Sequence, residues 1–184
     1  LCAVGGWYAG DAAAHSTKSS SEMEVVQDQV DRLARDTLEP LTRRGDTTFA
    51  STRDELEGLY GMEITEVLNA QRLEAIVNRV RGIRNRLVPM MRASDPHDLA
   101  KVLGMKNFLQ CMEISVLAVQ RRTESRGNVL REDFPYMDNE NWLKYTFAKV
   151  GGNGQPELFD EAIPEDASHR IPERAKVLHP FFRS

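Results

Sequence analysis

The strongest constraint on this chain is a run of apolar residues at helical spacing from about Glu63 to about Glu124, interrupted once. Ile64, Val67, Leu68, Ile76, Val80, Ile83 and Leu87 recur at three- and four-residue steps, which puts them on one face of a helix predicted over about 63–93. Arg72, Arg79, Arg84 and Arg86 lie largely off that face, and Pro89 predicts a kink or frayed turn near its end. Ser94 or Asp95, followed by Pro96, then opens a second long helix, because proline suits a first helical turn. That helix carries Leu99, Val102, Leu103, Phe108, Leu109, Met112, Val116, Leu117 and Val119, an apolar surface wide enough to meet two neighbours. Ser51 or Thr52 caps a shorter helix over "RDELEGLYG". The predicted fold is mainly α: an antiparallel bundle of about three helices, with a C-terminal β-hairpin and an extended tail.

The flanks are read less directly. Leu1 to Tyr8 suits a short buried strand running into an "AGDAAA" turn. Ser20 or Ser21 caps a helix bearing Val25, Val26, Val30, Leu33 and Leu38, stopping near Pro40. "WLKYTFAKV" (142–150) and "ELFDEAI" (157–163) are the hairpin strands about a "GGNGQP" turn, and Pro164, Pro172 and Pro180 mark the tail.

A formal net charge of −4 over 184 residues argues against a general nucleic-acid binder. Cys2 and Cys111 have no metal or redox spacing and read as reduced residues of a cytoplasmic protein. His15, His97, His169 and His179 are too scattered for a metal site. No uninterrupted apolar run reaches the length of a membrane span, and no signal peptide is visible. No catalytic triad, phosphate loop or zinc pattern occurs. Residue 1 is Leu, and the glycine-rich apolar stretch after it reads as the inside of a domain. The expectation is the C-terminal part of a longer polypeptide.

The segment "SRGNVLREDFPYMDNENW" (125–142) carries more polar groups than packing explains. The pattern, which runs on to Lys144, rests on Ser125, Arg126, Gly127, Arg131, Asp133, Pro135, Asp138, Glu140, Asn141, Trp142, Leu143 and Lys144. It resembles the C-terminal region of the flavoprotein subunits of succinate dehydrogenase, fumarate reductase and adenylylsulfate reductase, where a helical bundle also precedes the motif. "GGWYAGDAAAH" is similar to the glycine-aspartate stretch ending that family's FAD-binding domain. The resemblance implies FAD contacts at Gly10, Asp11, Ser20 and Ser21, against a plainer reading as turn and cap residues.

Departures accompany the match. Lys18 is the nearest cation where the family has a substrate-binding arginine, and Val129 stands where a histidine is frequent. The resemblance divides the chain into an FAD-domain remnant (1–40), a helical bundle (41–124) and a clasp, hairpin and tail (125–184). It implies FAD in the full-length protein but none held by this chain alone, and no catalytic residue within this chain. The implied partners are the rest of the flavoprotein and an iron–sulfur subunit, with membrane association only through a partner and no nucleic acid. For Arg126, Arg131, Asp133 and Asp138, a salt-bridge clasp tying bundle to hairpin outweighs substrate contact. Glu113, inside an apolar helix face, reads as a partnered core acid. The alternative function is a stand-alone helical interaction module without cofactor.

Overall fold

The structure is a computed structural model that describes residues 2–19, 24–63, 67–163 and 176–183. Its helices are α1 (Cys2–Ser19), α2 (Gln27–Thr42), α3 (Phe49–Glu63), α4 (Ala70–Leu87), α5 (Pro96–Arg121) and the short α6 (Asn139–Trp142). Its strands are β1 (Tyr136–Asp138), β2 (Lys144–Val150), β3 (Pro156–Ala162) and β4 (Lys176–Leu178). The chain divides into two compact units, 1–37 and 38–184.

In the first unit the expected strand is a helix. The stretch around Gly10 and Asp11 lies within α1, with no turn there. An apolar run this short does not separate strand from buried helix by periodicity. The alanines at 9 and 12–14 and the scarcity of β-branched residues favour the helix. Helix α2 opens at Gln27, later than a cap at Ser20 or Ser21 requires; both serines lie outside the described residues. Val25, Val26, Val30 and Leu33 are exposed.

The second unit holds the bundle. Thr48, rather than Ser51 or Thr52, caps α3: its hydroxyl accepts from Ser51 N–H at 3.2 Å, while its own N–H donates to Ser51 Oγ at 3.2 Å. The single helix expected over 63–93 is divided. Helix α4 starts only after Asn69, whose side-chain oxygen accepts from Arg72 N–H at 2.8 Å. It ends in a 3₁₀ turn at Val88–Met90 containing Pro89. Leu73, Ile76, Val77, Val80, Ile83 and Leu87 line its buried face, at the predicted spacing.

Asp95 caps α5, accepting from Asp98 N–H at 2.8 Å, with Pro96 in the first turn as expected. Leu99, Val102, Met105, Leu109 and Met112 meet the α4 stripe and Leu56 of α3 in one core. Phe108 departs from expectation and remains 39% exposed. By length and apolarity alone α5 meets the criterion for crossing a membrane. Here it is the central core helix, and it carries a fully buried, ion-paired Glu113.

The hairpin is as predicted, with Lys144 opposite Ala162 and Val150 opposite Pro156. Gly154 takes φ +75° in its turn, a conformation suited to glycine. The described end of the tail forms β4, antiparallel to β1, with Tyr136 opposite Leu178.

Candidate functional site: a polar clasp across two helix ends

The last carbonyls of α5 and the first N–H groups of α4 lack helical partners of their own. Arg131, 1% exposed, answers the first need. Its Nη1 donates to the carbonyls of Val119 at 2.9 Å and Arg122 at 3.0 Å, at the negative end of α5. Its Nε and Nη2 form a fork on Asp133, at 2.7 and 2.6 Å. Asp133 answers the second need, because its Oδ2 also accepts from Ala70 N–H, the first residue of α4, at 3.0 Å. A cation on a carbonyl end and an anion on an N–H end thus join two helices through one ion pair. Backbone pairing reinforces the joint: Leu68 N–H donates to Leu130 O at 2.8 Å, and Glu132 N–H to Leu68 O at 2.9 Å.

Gly127, at φ +58°, turns the chain between Arg126 and Val129. This brings buried Ser125 back onto the loop, where its hydroxyl accepts from Arg131 N–H at 2.8 Å and donates to Phe134 O at 2.8 Å. The second centre is Glu124, fully buried. It receives Arg126 at 2.8 and 2.9 Å, Arg122 at 2.6 Å and Asp138 N–H at 2.8 Å. Burial pushes the Glu124 carboxyl up, but the hydrogen bonds from Arg126, Asp138 N–H and Arg122 outweigh it and hold it below the usual range. The Arg131 fork does the same for Asp133.

Trp142 locks the far side. Its Nε1 donates to Thr123 Oγ1 at 2.7 Å, and Arg122 and Lys144 sit over its ring at 5.1 and 4.4 Å. Lys144 also pairs with Asp160 of β3 at 3.2 Å, and Arg121 of α5 reaches the same carboxylate at 2.8 Å. Hydrogen bonds from Arg121, then Thr146 and Lys144, hold Asp160 well below the ordinary carboxylate range.

Of the four charged residues read from sequence as one clasp, Arg131 pairs with Asp133 as expected. Arg126 and Asp138 do not pair with each other. Arg126 goes to Glu124 and to Asn139 Oδ1 at 2.6 Å, while Asp138 caps α6 and accepts from Asn141, which lowers its pKa. Glu124, Arg122, Thr123 and Asn139 join the clasp without being expected in it. The available signal is a lone glutamate among Arg121, Arg122 and Arg126, and a carboxylate so flanked is a candidate for burial. Glu113 is the partnered core acid expected of it, bonded by Arg81 at 2.6 Å and by Arg84. Such an interlocked set supplies rigidity and orientation.

Gly10 and Asp11 are exposed in the middle of α1, and Asp11 Oδ1 lies 3.6 Å from His15 Nδ1. Their backbone N–H groups sit inside the helix, which leaves the Asp11 carboxylate as the polar side chain that these two residues expose. No group of three or more candidate metal-ligating side chains exists among the described residues.

A family model described as "Fumarate reductase flavoprotein C-term" matches residues 53–174, which contain α4, α5, the clasp and the hairpin. The succinate dehydrogenase flavoprotein subunit of Rickettsia conorii is 34% identical over 58 residues, 32% of this chain and 10% of that protein. One subunit of the fumarate reductase (CoM/CoB) of Methanothermobacter marburgensis is 28% identical over 139 residues, 72% of this chain and 24% of the relative. Among solved structures, Mycobacterium smegmatis Sdh1 in complex with UQ1 superposes with a TM-score of 0.74 at 19% identity, covering 93% of this chain and 31% of the other. Adenylylsulfate reductase of Archaeoglobus fulgidus gives 0.67 at 14% identity, with coverage of 78% and 26%. These structures share the fold, and the chain spans less than a third of any of these relatives. The chain belongs to the fumarate reductase flavoprotein C-terminal family.

Proposed function

We propose that this chain acts as the C-terminal helical domain of an FAD-dependent oxidoreductase subunit of the succinate dehydrogenase and fumarate reductase type. In this reading it completes the flavin domain, docks an electron-transfer partner such as an iron–sulfur subunit, and is not catalytic alone. The observation that carries the reading is the clasp. The matched segment contains a rigid joint of helices and hairpin, with its polar groups committed to one another. That is the construction of a support that holds another domain in place.

Flavin, when bound in the full-length protein, supplies the redox chemistry, and the polypeptide positions it. The proposed FAD edge is Gly10, Asp11, Ser20 and Ser21, with Asp11 contributing its carboxylate. The proposed location is cytoplasmic, with membrane association through a partner subunit. The alternative, a stand-alone interaction module, draws on the exposed arginines of α4. The reading frame upstream of Leu1 separates the two: a strand followed by G-x-G-x-x-G supports the flavoprotein, and an initiator codon at position 1 contradicts it.

A further inference from the structure

Three walls of the second unit enclose a half-open cavity of about 570 Å³, between α4, α5 and the β2–β3 hairpin. Two walls supply a cation each, Arg84 from α4 and Lys106 from α5, and the hairpin supplies Ala148, Val150 and Pro156. The amides of Gln110 and Gln155 also line it, and Ile114 belongs to its apolar floor. No carboxylate lines it, on a chain whose net charge is −4.

The arginine is held in advance. Its Nη1 donates to the buried carboxylate of Glu113, and its Nη2 to Gln155 Oε1 at 3.3 Å, which fixes the guanidinium between the helix pair and the hairpin turn. That arrangement leaves N–H groups of both Nη1 and Nη2 for a further acceptor. Glu113 is itself shared with Arg81, so it does not cancel the local positive charge. Lys149 sends its ammonium to the opposite face of the hairpin, over the Phe159 ring at 5.6 Å and beside Glu157 at 3.5 Å, while Lys106 makes no ion pair among the described residues.

We infer that this cavity is a binding site for a small organic phosphate, with the phosphate held by Arg84 and Lys106 and an apolar body against Ile114. The size lies within the roughly 300–1,000 Å³ typical of small-molecule sites and exceeds what a bare inorganic anion fills. A fixed guanidinium and one mobile ammonium match the two charges of a dianionic phosphate better than the single charge of a carboxylate. The inference does not depend on the proposed flavoprotein role.

The test is calorimetric titration of the full 184-residue chain with phenyl phosphate, inorganic phosphate and benzoate. Phenyl phosphate binds most tightly, inorganic phosphate more weakly, and benzoate least. Lys106→Gln weakens phenyl phosphate by at least about tenfold, with the thermal midpoint unchanged, since Lys106 is not a core residue, and Lys149→Gln leaves the affinity unaltered. The inference is overturned by no heat at millimolar phenyl phosphate, by benzoate binding equally well, or by Lys106→Gln leaving the affinity unaltered.

Discussion

Asp133 lies at the junction of two helix ends: one oxygen accepts from Arg131 Nε at 2.7 Å, while the other accepts both Arg131 Nη2 and the leading N–H of α4. Arg131→Ala removes the cation from this buried joint and uncovers the carbonyls of Val119 and Arg122. The expected loss is about 3 kcal/mol or more, as for other broken buried pairs. Arg131→Lys recovers only part of it, because an ammonium cannot reproduce the fork. Urea unfolding reads both, and an unchanged midpoint for Arg131→Ala would show that the joint carries no stability.

Acid tests the carboxylates together. Asp133, Glu124 and Asp160 all have folded pKa values below their ordinary ones. The unfolded chain therefore binds more protons near pH 4. Their stabilisation is complete above the ordinary carboxylate pKa, about 4, and is lost as pH falls through the lower folded values. The thermal midpoint should hold between neutrality and mild acid and then drop. Asp160→Asn should lower the midpoint at neutral pH, with the difference from the parent shrinking in acid. A constant difference across that window would contradict the assignment.

Two glycines should respond in opposite senses. A Cβ at Gly45 would collide with the backbone carbonyl of Met90, whereas one at Gly82, exposed on α4, meets nothing within 4 Å. Gly45→Ala should destabilise by about 1–3 kcal/mol. Gly82→Ala should stabilise by about 0.5–1 kcal/mol, since alanine is the better helix former. Thermal melts of both variants check the pair.

The long helices were legible because their apolar residues repeat at 3.6-residue spacing and Asp95-Pro96 punctuates them. What periodicity cannot register is where a helix is interrupted by tertiary pairing. Leu68 continues the apolar pattern, yet its backbone pairs with Leu130 and Glu132, and α4 starts beyond it. The partners of the clasp were similarly hidden. Arg126 lies close in sequence to several acids, and only the Gly127 turn and the buried position of Glu124 decide among them. Helix α1 misled because glycine and alanine in a short apolar stretch carry no period.

The arginines of α4 separate docking from folding. Arg84 is tied to Glu113, and Arg86 to Glu55 at 2.5 Å, while Arg79 makes no ion pair among the described residues. Arg84→Glu should therefore lower the melting temperature. Arg79→Glu should leave it unchanged and slow association with an acidic electron-transfer subunit, an effect that fades as salt rises. Surface-resonance kinetics at two ionic strengths measure this, and unaltered association in Arg79→Glu would remove that residue from the docking face.

In the proposed role, this chain completes a flavin site it cannot form alone. Flavin fluorescence tests it directly, by titrating FAD into the chain, into the polypeptide encoded upstream, and into their mixture, all at micromolar protein. No quenching is expected from the chain alone, and stronger quenching from the mixture than from the upstream polypeptide. Stoichiometric quenching by the chain alone, or a mixture indistinguishable from the upstream polypeptide, would contradict that role.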